Sequence, residues 1–267
     1  MLRKHASPEP APIRLGPRLQ TIFEIIERQG TVRTKELATQ LGVSEMTIRR
    51  DLEDLGRQGR VRRVHGGATL FASSDKLGGH EANVIRKQTI ARAALQYFPR
   101  GGTVYLDAGS TSMELARVIH ELDLVRRNSL RIVTHAPAVA TYLATQRSVG
   151  SVHQIGDEVN FATLSAVGPN AQEQILRLHF DIFFMGVRGA DPVAGWTNND
   201  SAEAKVKQAV MSRSSETYIL ADSSKWRAIS FTPIAPLGAA NGWIVDRTQQ
   251  QDMEETFKTL SVKLCFA

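Results

Sequence analysis

Residues 34–52, TKELATQLGVSEMTIRRDL, constrain the fold of this chain more than any other stretch. They read as two short helices joined by a tight turn. Thr34 is placed to cap the first helix, which carries Leu37, Ala38 and Leu41 on one side. Gly42 stands where a left-handed residue ends a helix cheaply. Ser44 then caps the second helix through its hydroxyl, and Val43 and Ile48 occupy the two positions of a hydrophobic staple. Ile48, Leu52 and Leu55 recur at i, i+4 and i+7, so they bury together. At about 100° per residue, Met46, Thr47, Arg50 and Glu53 turn away from that stripe, with Arg49 on its flank. The exposed front offers guanidinium groups, a hydroxyl and a thioether, which suits a helix entering a DNA major groove. Taken alone, the pattern also fits a solvated, charged face in an ordinary helical bundle.

The next segment favours the first reading. Gly59-Arg-Val-Arg-Arg-Val-His-Gly-Gly-Ala68 alternates Val61 and Val64 with arginines and ends in Gly-Gly. It reads as a short basic β-hairpin, or wing, with Arg60, Arg62 and Arg63 able to lie along a phosphate backbone. Charge is distributed accordingly. Residues 1–70 hold 13 Lys+Arg against 8 Asp+Glu, whereas residues 71–267 hold 20 against 19. The basic excess is confined to the end that carries the wing, as a footprint on a polyanion requires.

The segment TIRRDLEDLGRQGRVRRVHGGA resembles the amino-terminal signature of the DeoR family of bacterial transcriptional regulators. That signature is a Ser-Thr-Ile-Arg-Arg-Asp-Leu recognition helix followed by an Arg-Val-His-Gly-Gly wing. The resemblance implies a DNA-binding surface formed by Ser44, Met46, Thr47, Arg49, Arg50, Arg60, Arg62, Arg63 and His65. It extends over roughly residues 17 to 246.

With 267 residues, the chain is long enough for one small and one larger domain. The expected organisation is a disordered, proline-bearing lead-in at 1–16, a winged helix-turn-helix at 17–69, a linker at 70–80 and an α/β domain at 81–267. The one cysteine, Cys265, excludes an internal disulfide and fits a reducing compartment. No apolar run is long enough to span a bilayer, and the basic start lacks the apolar centre of a secretory signal. A cytoplasmic location is expected, with no membrane association.

Leu19, Ile22, Phe23 and Ile26 repeat at helical spacing and form a first helix ending at Gly30. Thr31–Arg33 is a short extended piece. From Glu81 a helix runs toward Pro99, and strand-like and helical runs then alternate. Strands are expected at 103–107, 130–134, 152–155, 181–186 and 217–221, with 243–245 as the last. Helices are expected at 112–120, 136–144 and 201–212. This alternation predicts a mostly parallel sheet wrapped by helices.

In such sheets, ligands lie beyond the carboxyl ends of the strands. Asp107-Ala-Gly-Ser-Thr-Ser112 follows one strand and opens a helix. Gly109 lets backbone N–H groups approach closely, Ser110, Thr111 and Ser112 add hydroxyls, and the helix amino terminus favours an anion. The same residues also make an ordinary capping turn. Thr134-His135 and Asp222-Ser-Ser-Lys225 end two further strands. Lys225 offers a point charge to a phosphate or sugar hydroxyl. Glu203 and Lys207 are spaced i, i+4, and on spacing alone they read as a solvent-facing salt bridge.

The family resemblance changes that last reading. DeoR-type regulators carry an effector domain similar to ribose-5-phosphate isomerase, glucosamine-6-phosphate isomerase and coenzyme A transferases. Asp107-Ala-Gly-Ser-Thr111, Glu203-Ala-Lys-Val-Lys207 and Asp222-Ser-Ser-Lys225 stand at matching places, as do Ser165–Gly168 and Gly186–Gly189. The resemblance implies a site for a phosphorylated sugar, polyol or related metabolite built from Asp107, Gly109, Ser110, Thr111, Ser112, His135, Glu203, Lys207, Asp222 and Lys225. No cofactor or metal is expected. Two residues depart from the pattern: His135 replaces the usual asparagine, and Asp157 replaces a second glycine after Gly156. The resemblance therefore implies a non-enzymatic repressor of carbohydrate genes that binds double-stranded operator DNA as a homodimer or homotetramer. The alternative is a sugar-phosphate isomerase with a DNA-binding appendage, using Glu203 or Asp107 as its base.

Overall fold

The computed structural model describes residues 16–29, 31–57, 61–64, 66–70, 80–161, 163–247 and 251–267. The chain divides into two compact units, residues 1–80 and 81–267.

The first unit contains α1 (Pro17–Gln29), β1 (Thr31–Arg33), α2 (Thr34–Leu41), α3 (Glu45–Arg57), β2 (Val61–Val64) and β3 (Gly67–Leu70). Its strands form an antiparallel sheet in the order β1-β3-β2. Ile22 and Ile26 of α1, Leu37 of α2, and Ile48, Leu52 and Leu55 of α3 form one core with Val32, Val61 and Ala68. Gly42 ends α2 at φ +65, and its N–H donates to Ala38 O. Val43 packs against the core that contains Ile48. Gly67 has a steric reason to lack a side chain: a Cβ there would lie 1.9 Å from Val32 O on the neighbouring strand.

Thr34 is not the cap of α2. The chain passes from β1 directly into the helix, so Arg33 takes the cap position with no side-chain bond. Thr34 is the first helical residue and is buried, with its N–H donating to Gly66 O at 2.9 Å. The lead-in expected at 1–16 lies outside the described residues up to 15, as does Gly30. Leu70 belongs to β3, and His80 opens the next helix. The intervening linker residues, 71–79, also lie outside the description.

The second unit begins with α4 (His80–Ala94), β4 (Gly102–Leu106), α5 (Ser110–Val118), α6 (Leu124–Asn128), β5 (Leu130–Thr134), α7 (Pro137–Gln146) and β6 (Ser151–Gln154). A hairpin of β7 (Val159–Asn160) and β8 (Ser165–Ala166) precedes α8 (Pro169–Leu176) and β9 (Phe180–Met185). Next come β10 (Gly189–Asp191), β11 (Gly195–Asn198), α9 (Ser201–Ser212), β12 (Ser214–Leu220) and β13 (Thr232–Ala235). The unit ends with β14 (Gly242–Val245), α10 (Gln251–Thr259) and β15 (Lys263–Phe266).

Seven strands form one sheet in the order β15-β14-β12-β9-β4-β5-β6, and every pairing is parallel. Side chains alternate across it with the period of two that a strand imposes. Tyr105, Phe183 and Met185 enter one core, while Val104, Leu106, Ile182 and Phe184 enter the other. Both faces are therefore covered, as a parallel sheet requires. Because all seven strands run the same way, the loops after β4, β5, β9, β12 and β14 leave along one edge.

Two expectations change. The strand at 243–245 is not the last: β15 follows α10 and pairs in parallel with β14. A separate antiparallel sheet, β10-β11-β13, is inserted after β9. Cys265 lies in β15 with its side chain in one of the two cores.

Candidate functional site

At the amino-terminal end, Ser44 starts α3 as expected. Its Oγ accepts from the Thr47 N–H at 3.1 Å and lies 2.9 Å from the Thr47 hydroxyl. Both hydroxyls thus sit at the helix mouth, where unpaired backbone donors favour an anion. Met46 is 64% exposed, and Arg49 and Arg50 are also exposed. Arg49 lies 3.8 Å from Glu45 one turn back, a surface pair of little energetic weight. Sequence reasoning missed the support behind this face. Asp51 is buried and accepts a two-pronged bond from Arg18, at 2.7 Å from Nε and 3.0 Å from Nη2. This fork ties α1 to the back of α3 and leaves Arg50 on the front. Arg62 and Arg63 stand on β2 opposite Thr69 and Ala68, while Arg60 and His65 lie outside the described residues.

At the other unit's strand edge, Asp107 follows β4 and is completely buried. Its Oδ2 accepts from the Gly186 N–H at 2.7 Å and from Lys207 Nζ, and its Oδ1 accepts from the Ala108 N–H at 2.9 Å. Lys207 also donates to Gly186 O at 3.0 Å. One carboxylate and one ammonium thereby fasten the ends of β4 and β9 to α9. Glu203 does not pair with Lys207 as a surface bridge. Both side chains are buried, because α9 turns this face toward the sheet. Glu203 Oε1 accepts from Ser165 Oγ at 2.8 Å, and Oε2 accepts from Asn198 Nδ2 at 2.9 Å. Burial pushes its carboxyl up, but Lys207, Asn198 and Ser165 outweigh that and hold it below the ordinary range.

His135 is completely buried at the end of β5. Its Nδ1 lies 3.0 Å from the Tyr105 hydroxyl, and its Nε2 lies 3.7 Å from Asp107 Oδ1 with no hydrogen-bond partner. Burial holds the imidazole below its ordinary pKa and the Tyr105 hydroxyl well above its own. The ring is therefore neutral at pH 7. The tautomer that suits both neighbours accepts from Tyr105 at Nδ1 and points Nε2–H at Asp107.

Other polar groups lie at the same strand edge, nearer the surface. Gly109, at φ +123, precedes α5, whose amino terminus has no side-chain cap. Ser110 is exposed, Thr111 half-buried and Ser112 buried. At the end of β12, Asp222 accepts from the Ser224 N–H at 3.0 Å, and Lys225 Nζ lies 4.0 Å from its carboxylate. Asp157 is occupied structurally: its carboxylate accepts from the N–H groups of Ala171 and Glu158, each at 2.8 Å, so the chain's own anion sits at the start of α8. Asn198 and Asp246 carry no sequence signal, and Ser165 stands out only as a position matching the family pattern. Both Ser165 and Asn198 lie on short strands with no periodic signal, and their contact with Glu203 is made by the fold. Among the described residues, no cluster of His, Cys, Asp and Glu has the arrangement of a metal site.

A winged helix-turn-helix followed by a parallel α/β unit with polar strand ends defines a two-module regulator, with one module for DNA and one for a small ligand. The comparisons agree with that division. Residues 18–74 match the DeoR-like helix-turn-helix domain, and residues 82–247 match the DeoR C terminal sensor domain. The chain belongs to the DeoR family. It is 31% identical over 236 residues to YulB, an uncharacterized HTH-type transcriptional regulator of Bacillus subtilis, covering 87% of this chain and 89% of the relative. It is 29% identical over 244 residues to the lactose phosphotransferase system repressor of Staphylococcus epidermidis, covering 89% and 94%. Among solved structures, ribose 5-phosphate isomerase A of Methanocaldococcus jannaschii overlays with a TM-score of 0.38 at 15% identity, over 55% of each chain. No described helix is long and apolar enough to cross a membrane.

Proposed function

We propose that the protein is a transcriptional repressor of carbohydrate or polyol catabolism genes, and that a phosphorylated sugar or polyol at the strand-tip crevice controls its grip on operator DNA. The DNA surface is the front of α3 with the wing. Arg49 and Arg50 supply forked donors, and Ser44, Met46 and Thr47 supply the smaller contacts. A homodimer or homotetramer presents two such helices to grooves about 34 Å apart. The effector's phosphate meets the uncapped start of α5 at Gly109–Ser112 and the ammonium of Lys225. Its hydroxyls face the floor formed by Asp107, His135, Glu203 and Lys207. Asp222 orients the Lys225 loop.

The observation that carries this reading over an isomerase is the state of the two carboxylates. A general base must be open to the substrate proton and free to move onto it. Asp107 is buried under contacts from Lys207, Gly186 and Ala108, and each Glu203 oxygen already accepts a bond from the chain. They serve as a fixed polar floor. The test pairs two assays on the same compounds, operator release and deuterium uptake from solvent. Release of DNA by a sugar phosphate, without deuterium entering it, supports the repressor. Deuterium uptake with no effect on DNA overturns it.

A further inference from the structure

The helix α4 is the first element after residues 71–79, which lead out of the DNA-binding unit. Among its described side chains, 84–94, the fully buried apolar residues are Ile90, Ala91 and Ala94. Earlier in the helix, Val84 is half-buried and Ile85 is 61% exposed. This part carries charged contacts. Arg86 Nε lies 3.7 Å from Asp246 Oδ2, just after β14. Asp246 also accepts from the Ser223 N–H at 2.6 Å and from Ser223 Oγ at 3.2 Å. The neighbouring Lys87 acts on Asp222. Burial pushes that carboxyl up, but Ser224, Lys225 and Lys87 hold it below the usual range. Arg86 of α4 thus faces the carboxylate just after β14, and the charge of Lys87 acts on the one after β12. The loop Ser223–Lys225 is built on those same carboxylates.

We propose that the Arg86–Asp246 pair transmits metabolite occupancy from the Ser223–Lys225 loop to α4, making Arg86 a positioning residue for regulation and not a ligand contact. The inference rests on the metabolite reading of the crevice. An anionic group beside Lys225 draws the ammonium away from Asp222. Ser223 moves with its loop, and Asp246 follows through its two bonds to Ser223. Arg86 follows Asp246, and among the described side chains of α4 before Ile90 none is fully buried. The metabolite then favours one setting of α4 by its differential affinity for the two. A half-exposed ion pair adds little to stability, so replacing Arg86 leaves a folded protein in which the link alone is cut.

The test uses the full-length protein, a DNA fragment selected by the wild type from a random pool, and glucose 6-phosphate, fructose 1-phosphate, fructose 6-phosphate and ribose 5-phosphate. Calorimetry measures metabolite affinity, and fluorescence anisotropy measures DNA affinity with and without metabolite. A compound that weakens wild-type DNA binding tenfold or more is expected to bind Arg86→Gln within threefold of wild type, yet change its DNA affinity less than twofold. Arg86→Lys, which keeps the charge, is expected to recover most of the response. A full response in Arg86→Gln overturns the link. So does a loss of metabolite affinity beyond threefold in that variant, because Arg86 then belongs to the pocket. If none of the compounds binds the wild type or alters its DNA affinity, the crevice reading falls and the link falls with it.

Discussion

Asp107 and Lys207 are the residues whose pairing matters most to the sensor unit. Both are buried, and each satisfies the other. Lys207→Met leaves the Asp107 carboxylate uncompensated, and breaking a buried pair in this way costs about 3–5 kcal/mol. Urea unfolding of the sensor unit is expected to show a loss of that size. His135 gives a separate handle through pH. Its folded pKa is depressed by burial, with Asp107, Lys207 and Glu203 around it. The unfolded imidazole takes a proton near pH 6.5 while the folded one does not. The contribution of the neutral ring is therefore complete above that pH and is lost as pH falls below it. The melting temperature of the wild type is expected to drop more between pH 8 and pH 5.5 than that of His135→Asn. Equal drops would remove His135 as the source. At the DNA end, Arg50 is exposed on the front of α3. Arg50→Ala is expected to abolish specific operator binding without changing oligomerisation, as read by mobility shift and sedimentation.

At the scale of elements, helix ends and apolar runs were legible because their signals are local. Ser44 caps α3 through its hydroxyl, and Gly42, having no Cβ, closes α2 in the left-handed conformation. Ser44→Ala is expected to destabilise the first unit by about 1 kcal/mol, measurable by thermal melting. The strands β4, β5, β9, β12 and β14 announced themselves as apolar runs of the length a doubly covered sheet needs. What was not legible depends on contacts distant in sequence. The spacing of Glu203 and Lys207 shows that they share a helical face, but not whether that face meets water or the sheet. Arg18 and Asp51 are separated by 33 positions, so their fork has no local signature. The strand β15 is four residues long and ends in the exposed Phe266, so it lacked the apolar signal of the inner strands. The family pattern singled out Asp107, Glu203, Asp222 and Lys225, none of which carries a local signal strong enough to do so alone.

For the whole molecule, regulation requires that an event at one module change the grip of the other. A ligand that binds only the native state also stabilises it, by about 2.7 kcal/mol at a hundredfold excess over Kd. The active sugar phosphate is therefore expected to raise the melting temperature in proportion to the logarithm of its concentration. The shift is expected to be smaller in Lys225→Ala and Thr111→Ala, while both variants keep DNA affinity. The most direct measurement is operator affinity of the full-length protein across a panel of phosphorylated sugars and polyols, with wild type and Lys225→Ala side by side. The account predicts that at least one compound weakens wild-type binding tenfold or more and that Lys225→Ala needs a much higher concentration for the same release. Release of both proteins at the same concentration would contradict it.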